Sequence, residues 1–407
     1  MNYKYALSHQ WLKFKAQLDE APPRFWILSG EAKSKCEHIA SVPLKPAVSL
    51  KLQAVYLVRG IRATVAIEGN TLSEEQVKQR LEGTLSLPES QEYLGTEVDN
   101  IIAAVNQIGG EIAEHQIPKL SVKLIKEYNR LILKGLKLDA GVIPGEIRVG
   151  SFGVAHYRGA PADECEYLLE RLCEWLNGPE FDIPNDKNRT ITAILKAIIA
   201  HIYIEWIHPF GDGNGRVGRL TEFFILLSSG IPSPAAHLLS NHYNLTRSEY
   251  YRHLDESSRS GGNLLPFMEY ALQGFVDGLR LQLKDIRNQQ WNLAWESFVY
   301  EHFGNKTSPS DQRRCHLVLD LSSSRKPVTL EKVALLTPRL AAAYATKRPR
   351  TVIRDLNRLI EMGLVQLTKA GYRARKRSIL AFLPLTHEPI SESKDTGAAT
   401  RRRVAPA

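Results

Sequence analysis

Within twelve residues, His208-Pro209-Phe210-Gly211-Asp212-Gly213-Asn214-Gly215-Arg216-Val217-Gly218-Arg219, the chain collects the groups that handle a polyphosphate. The imidazole could take a proton from an incoming hydroxyl. Asp212 supplies a hard oxygen donor of the kind that holds Mg2+ against phosphate oxygens. Arg216 and Arg219 stand three apart, so on a helix they share a face and can reach one anion. The apolar run from Leu220 to Ser229 reads as a helix that Gly230 and Pro232 stop. Gly213-Asn214-Gly215 therefore falls at a helix N-terminus, where unpaired N–H groups and the positive end of the dipole attract phosphate. Phe210 reads as a core anchor for the loop.

Two familiar nucleotide motifs do not fit. Gly213-x-Gly215-x-x-Gly218 matches the dinucleotide fingerprint in spelling, but that fingerprint needs a strand before it and an acidic residue about 20 positions later. The preceding segment, Ile191 to Ile207, reads as helix, and the region around Leu238 offers no acid. The Gly-Lys-Ser/Thr ending of a phosphate-binding P-loop is missing as well.

With every specified position matched, the stretch resembles the active-site motif of the Fic family of protein adenylyltransferases, His-Pro-Phe-x-Asp/Glu-Gly-Asn-Gly-Arg-x-x-Arg. The resemblance implies a mainly α-helical Fic/Fido core with a short β-hairpin flap. It also implies transfer of AMP from ATP to a Tyr, Thr or Ser hydroxyl, with pyrophosphate leaving. His208 would be the base, Asp212 the Mg2+ ligand, and Gly213, Asn214 and Gly215 the phosphate nest. Arg216 and Arg219 would hold the terminal phosphates, Val217 and Gly218 complete the ATP-contacting stretch, and Asn244, in a loop before a helix starting near Ser248, would contact the base.

Glu68 is the second residue of interest. A long helix is expected over Ser49–Glu68, ended by Gly69-Asn70, with a capping box at Ser73 to Gln76 opening the next. A carboxylate in the last turn of a helix opposes the dipole, so a compensating cation is expected. Thr64-Val65-Ala66-Ile67-Glu68-Gly69 resembles the inhibitory motif that precedes the core in many Fic proteins. By that resemblance Glu68 pairs with Arg219 and excludes the γ-phosphate, with Thr64 as support on the helix.

Between Gly141 and Asp163 glycines, prolines and alternating apolar residues predict an irregular hairpin. After Gly145-Glu146-Ile147-Arg148 the family places a flap that lines the ATP site and pairs with the target's main chain, here Val154, Ala155 and His156. The sequence beyond Arg148 departs from the family's pattern.

The elements that must position these groups divide as follows: an N-terminal helical region over 1–115, with the inhibitory helix at about 49–69; a catalytic core over 116–262; connecting helices over 263–305; a winged-helix-like domain over 306–385; and a disordered tail over 386–407. An amphipathic helix through Trp11, Leu12, Phe14 and Leu18 opens the chain, and no run approaches a membrane span. The net charge of +9 is concentrated. Between Lys306 and Leu383 there are 17 Lys/Arg against 5 Asp/Glu, which leaves the rest slightly acidic. Arg350, Arg354 and Arg358 recur along one face of the third helix of the basic segment, opposite Ile353, Leu356 and Ile360. With Arg373 to Arg377 as a wing they could meet DNA phosphates. The four cysteines are scattered, without a Cys-x-x-Cys pair, which points to a reducing cytoplasm.

The expected activity is a Mg2+-dependent protein adenylyltransferase held in check by Glu68. Its partners are ATP, a hydroxyl-bearing protein or the chain itself through Tyr243, Tyr250 or Tyr251, with a homodimer implied by the family and no membrane. The same site allows AMP removal, with Glu68 orienting a water, or transfer of UMP or phosphate. A DNA-binding regulator with a nucleotide-sensing core is the alternative of another class.

Overall fold

Prolines and capping side chains set most of the helix starts. The computed structural model describes residues 3–150, 153–154, 157–181, 186–304 and 306–380, and within them the fold is mainly helical. Two compact units divide it, Met1–Arg287 and Asn288–Ala407.

In the first unit the helices are α1 Tyr5–Ser8, α2 Pro23–Ser41, α3 Pro46–Ala66, α4 Glu74–Leu81, α5 Glu92–Ala113 and α6 Val122–Ile132. A two-residue hairpin follows, β1 Gly153–Val154 antiparallel to β2 Tyr157–Arg158. Then come α7 Cys165–Leu176, α8 Arg189–Ile207, α9 Asn214–Ser228, α10 Ser233–Ala236, α11 Leu238–Leu245, α12 Arg247–Arg259 and α13 Leu265–Phe303. Helix α8 is predominantly apolar and mostly buried from Ala193 onward, as expected of a core helix. It is also the one described helix long and apolar enough to cross a membrane, contrary to the sequence expectation; 72% of that window is buried inside the protein. Helices α8 and α9 pack closely along their length. Their approach needs Gly218, where a Cβ would stand 2.8 Å from the His201 ring.

Three expectations for this unit are corrected. The opening amphipathic helix is absent: only Tyr5–Ser8 is helical, and Phe14 and Gln17 take φ of 50° and 51°, which no helix accommodates. Leu12 and Ala16 instead enter the core singly, and Phe14 N–H donates to the Tyr203 hydroxyl at 2.8 Å. Helix α3 stops at Ala66, because Glu68 and Gly69 N–H bond back three residues, 3.1 Å each, and Gly69 adopts φ 104°. Glu68 thus lies in the turn beyond the helix. The segment carrying Asn244 is helix α11 rather than a loop, pinned by the buried Tyr243.

The second unit takes in the end of α13, then α14 Pro309–Ser323, α15 Leu330–Val333, α16 Pro338–Tyr344, α17 Pro349–Glu361 and the hairpin β3 Val365–Thr368 with β4 Gly371–Ala374. Val328 adds a single antiparallel bridge to Tyr372. The short α16, absent from the sequence expectation, is started by Thr337, whose side chain accepts from Leu340 N–H at 3.2 Å. Arg350, Arg354 and Arg358 are exposed on α17 as expected. The buried stripe opposite is Val352, Asp355, Leu356 and Leu359, however, and Ile360 lies at the surface. Asp355 belongs to the core because it accepts from Arg313 at 2.7 Å, Arg314 at 2.9 Å and Tyr344 at 3.1 Å. The expected tail over 386–407 lies outside the described residues.

Candidate active site

The α8–α9 corner is built before any ligand arrives. His208 caps α8 in the left-handed region, φ 51°, a conformation costly for a residue with a side chain. Arg148 holds it there: its Nε donates to the His208 carbonyl at 2.7 Å, its Nη2 to Ala160 O at 2.5 Å, and its own N–H to Pro209 O at 3.0 Å. Gly159 lets this guanidinium in, since a Cβ there would stand 2.9 Å from both Arg148 and the His208 side chain. The loop is closed by Asn214, which accepts from Phe210 N–H at 2.9 Å and donates to Phe210 O at 2.8 Å. Asn129 on α6 ties the same loop to the Gly145 segment, donating to Asp212 O and accepting from Gly145 N–H, 2.9 Å each. Phe210 is buried beneath it, as its sequence position suggested.

His208 is buried, and burial followed by the neighbouring Arg148 charge lowers its pKa to about 4, against smaller opposing contributions that include a hydrogen bond to the Glu205 main chain. At neutral pH the imidazole is therefore the uncharged, proton-accepting form. Gly213 caps α9 at φ 84°, with the first intrahelical bond running from Val217 N–H to Gly213 O at 2.9 Å. The N–H groups of Asn214, Gly215 and Arg216 precede that bond, the arrangement that receives an anion. The Asn214 side chain is consumed by the loop, so only its main chain can serve a ligand.

Arg216 reaches Asp212 at 3.0 Å and Glu97 at 3.6 Å. Arg219, 1% exposed, donates one nitrogen to Glu68 at 2.5 Å and to the Thr64 main-chain oxygen at 2.9 Å. Thr64 thus supports the pair through its carbonyl, while its hydroxyl bonds Gly60 O within the helix. Both arginines keep buried donors, Nε and Nη1, without a hydrogen-bond partner. Such donors are costly until an acceptor such as phosphate meets them. Burial alone would raise the Glu68 pKa; the charge and hydrogen bond of Arg219 outweigh it and hold the carboxyl below its usual range. Glu68 stays 34% exposed nonetheless, the combination expected at the wall of an open cleft. Gly215 is what admits it: a Cβ there would lie 2.3 Å from Glu68 Oε1.

Asp212 is 47% exposed and gives one oxygen to Arg216. Among the described residues no cluster of three His, Cys, Asp or Glu could hold a metal by itself. A lone exposed carboxylate beside a phosphate nest fits Mg2+ shared with phosphate oxygens, the usual way that ion is held, and does not fit an all-protein cage.

The other expected site residues scatter. Val154 is in β1, while Ala155 and His156 lie outside the described residues. Asn244 is half-buried on α11. Tyr243 and Tyr250 are sealed in the core, so of the three tyrosines expected near the site only Tyr251, 43% exposed, presents itself for modification. The sequence reading passed over Asn129 and Glu97 and quoted Arg148 only as a marker of the flap; their partners lie 83, 119 and 60 residues away in the chain, in the case of Asp212, Arg216 and His208. It also passed over Arg247, at the start of α12, whose charge reaches Glu68 and whose guanidinium lies 5.8 Å above the Tyr251 ring.

The Fic/DOC family model matches residues 119–226. The chain carries a Fic/DOC domain. Its sequence is 30% identical over 237 residues to protein adenylyltransferase fic-1 of Caenorhabditis elegans, covering 55% of this chain and 42% of that protein. It is 29% identical over 265 residues to protein adenylyltransferase Fic of Drosophila melanogaster, covering 63% and 49%. The chain thus spans a little under half the length of these curated relatives. Among solved structures, a Fic family protein from Desulfovibrio desulfuricans shares the fold, with a TM-score of 0.53 at 21% identity, covering 87% of this chain and 96% of that one. The matched stretch begins at Lys119, inside the first unit, and so contains His208 to Arg219 but not Glu68. The contact that occupies Arg219 comes from outside that stretch.

Proposed function

We propose that this protein transfers AMP from ATP to a hydroxyl of a protein side chain. The observation that carries the reading is a buried, uncharged His208 fixed beside the open N-terminus of α9, with two arginines whose donors await an acceptor. The target hydroxyl attacks the α-phosphorus; the O–P bond forms as the bond to the bridging oxygen breaks, and pyrophosphate leaves. His208 takes the hydroxyl proton. The α9 N–H groups bind phosphate oxygens, and Arg216 and Arg219 orient the terminal phosphates. Asp212 would hold Mg2+, which supplies charge neutralisation on the phosphates. Glu68 occupies the Arg219 donor that the γ-phosphate needs, so ATP is kept from its productive pose until Glu68 withdraws. The names of the relatives support adenylyl rather than uridylyl or phosphoryl transfer. Because Glu68 is both ionised and exposed to solvent, a second reading holds at the same site: with Glu68 docked, it orients a water for AMP removal.

The decisive measurement is transfer of label from α-labelled ATP to the protein and to lysate, for wild type, Glu68→Gly and the double change with His208→Ala. Weak, strong and absent labelling in that order is expected. ATP binding without labelling in Glu68→Gly would sink the adenylyl assignment.

For the second unit we infer a winged-helix arrangement whose exposed α17 arginines meet DNA phosphates, supported by the element order and the local charge. Salt-dependent binding of duplex DNA, weakened by Arg350→Ala with Arg354→Ala, tests this; binding insensitive to both salt and these changes removes it. Four buried, unbridged cysteines support a reducing compartment, the cytoplasm.

A further inference from the structure

Arg219 has a second carboxylate beside it. The position above Gly215 where a Cβ would stand is 2.3 Å from Glu68 Oε1, 3.0 Å from Arg219 Nη1 and 3.2 Å from Glu205 Oε1. Glu205, on the last turn of α8, thus lies close to the same guanidinium as Glu68, and the two charges are felt by each other. Arg219 uses only Nη2, on Glu68 and Thr64, and its Nη1 and Nε are buried and unpaired. One guanidinium cannot balance two carboxylates at this range, so one of them keeps a proton. Burial first, and then the Glu68 charge, hold Glu205 up to about 7, whereas Glu68 is held low. The proton therefore resides on Glu205 while Glu68 is docked.

We propose that Glu205 is a positioning residue of the nucleotide site: when Glu68 withdraws, Glu205 takes the guanidinium of Arg219 and keeps it aimed at the terminal phosphates. The inference rests on the nucleotide-site reading and adds a second state to it. In the docked state Arg219 is neutralised by Glu68 and Glu205 is a neutral acid, with the Tyr250 hydroxyl 3.5 Å from its oxygen. In the undocked state Glu205 loses its proton to solvent and becomes the partner of the idle Nη1 donor. Without such a partner Arg219, 1% exposed, would be left as an uncompensated buried charge whenever no nucleotide is bound.

Other titratable groups lie around Glu205. Tyr250 from α12 and Tyr157 from β2 are both held above the ordinary tyrosine range, chiefly by burial. Behind Tyr250, His201 bonds its hydroxyl at 2.9 Å and is pushed down to about 3 by burial. Glu222, bonded to Tyr243, is held well above the carboxylate range, again by burial. Glu205 binds its proton more tightly when Glu68 is docked, so undocking releases one proton. Docking is therefore favoured in acid, weakens as pH rises toward about 7 at up to tenfold per pH unit, and changes no further above it.

The test has two parts. Carbon-13 NMR of glutamate-labelled protein without nucleotide is expected to show a side-chain carboxyl titrating near pH 7. That signal should be missing from Glu205→Gln and displaced to lower pH in Glu68→Gly. A signal that stays in place in Glu68→Gly overturns the coupling whatever the site binds. Direct titration with Mg-ATP at pH 5.5 and 7.5 is the second part. Wild type should gain at least tenfold in affinity at the higher pH beyond the change seen in Glu205→Gln, which mimics the protonated acid at both. In the Glu68→Gly background, Glu205→Gln should weaken ATP several-fold and lower the thermal unfolding temperature of the nucleotide-free protein, since Arg219 then has neither carboxylate. Equal ATP affinities of Glu68→Gly with and without Glu205→Gln would overturn the positioning role. Failure of Glu68→Gly to bind ATP at either pH would instead remove the nucleotide-site reading, a result the nucleotide-free titration distinguishes.

Discussion

Two of the buried arginine–carboxylate clusters among the described residues, those of Asp355 and Arg219, are built on opposite plans. In the second unit Asp355 is wholly enclosed and accepts three bonds, from Arg313, Arg314 and Tyr344. In the first, Arg219 is the enclosed partner, its carboxylate Glu68 is 34% exposed, and two of its donors have no acceptor. A pair that only holds a fold uses its bonding capacity and shields its charge. A pair that must open leaves capacity in reserve and keeps the removable partner near water. Orphaned donors at Arg216 and Arg219, costly as structure, support the proposal that an acceptor arrives from outside.

That contrast can be broken by mutation. The largest effect is expected for His208→Ala in the Glu68→Gly background: AMP transfer falls by about 10²–10⁴ while calorimetry still detects ATP binding and the unfolding temperature barely moves. Next is Asp355→Ala, which strands two arginines in a core and should cost the second unit about 3–5 kcal/mol, read by denaturant unfolding. A cost as small as that of a surface change would erase the distinction between the clusters. Glu68→Gly should raise labelling about 5–150-fold, the range of ordinary coupling between sites, with little loss of stability because Glu205 remains beside the guanidinium. Asn129→Ala should be milder, about 1–3 kcal/mol from two lost loop bonds, seen as reduced labelling at unchanged ATP affinity.

The pH profile sharpens the same contrast from the side of chemistry. With the His208 pKa lowered to about 4, its proton-accepting form persists down to that pH. In Glu68→Gly, single-turnover labelling should therefore show its acid limb near 4 and not near the ordinary histidine value of about 6.5. A limb at the ordinary value would mean that the base is another group or is more exposed than the corner implies.

What the sequence revealed follows from how local each signal is. The run His208 to Arg219 is contiguous, so its turn, helix start and charged face were readable, and Glu68 was reachable because its motif is short. The fold class was equally plain, since α5, α6, α7 and α8 carry helical spacing. The opening segment was misread because the apolar spacing around Trp11 satisfies a helix while tertiary anchors at Leu12 and Phe14 impose another path. Arg148, Asn129, Glu97 and Glu205 gave no local signal of what they do: each is an ordinary polar residue whose partner is set by packing of distant helices. Ile360 was placed inside for a related reason, as periodicity locates a face but not its centre.

The contact between Glu68 and Arg219 spans 151 residues, with the carboxylate on the N-terminal side. A ribosome therefore completes α3 and its turn well before it makes the loop from His208 to Arg219. If Glu68 restrains the site as proposed, no stage of synthesis presents an unrestrained enzyme, because every nascent chain that has acquired the arginine already holds its restraint. The reverse order in the chain would have left an interval of uncontrolled modification with each molecule made.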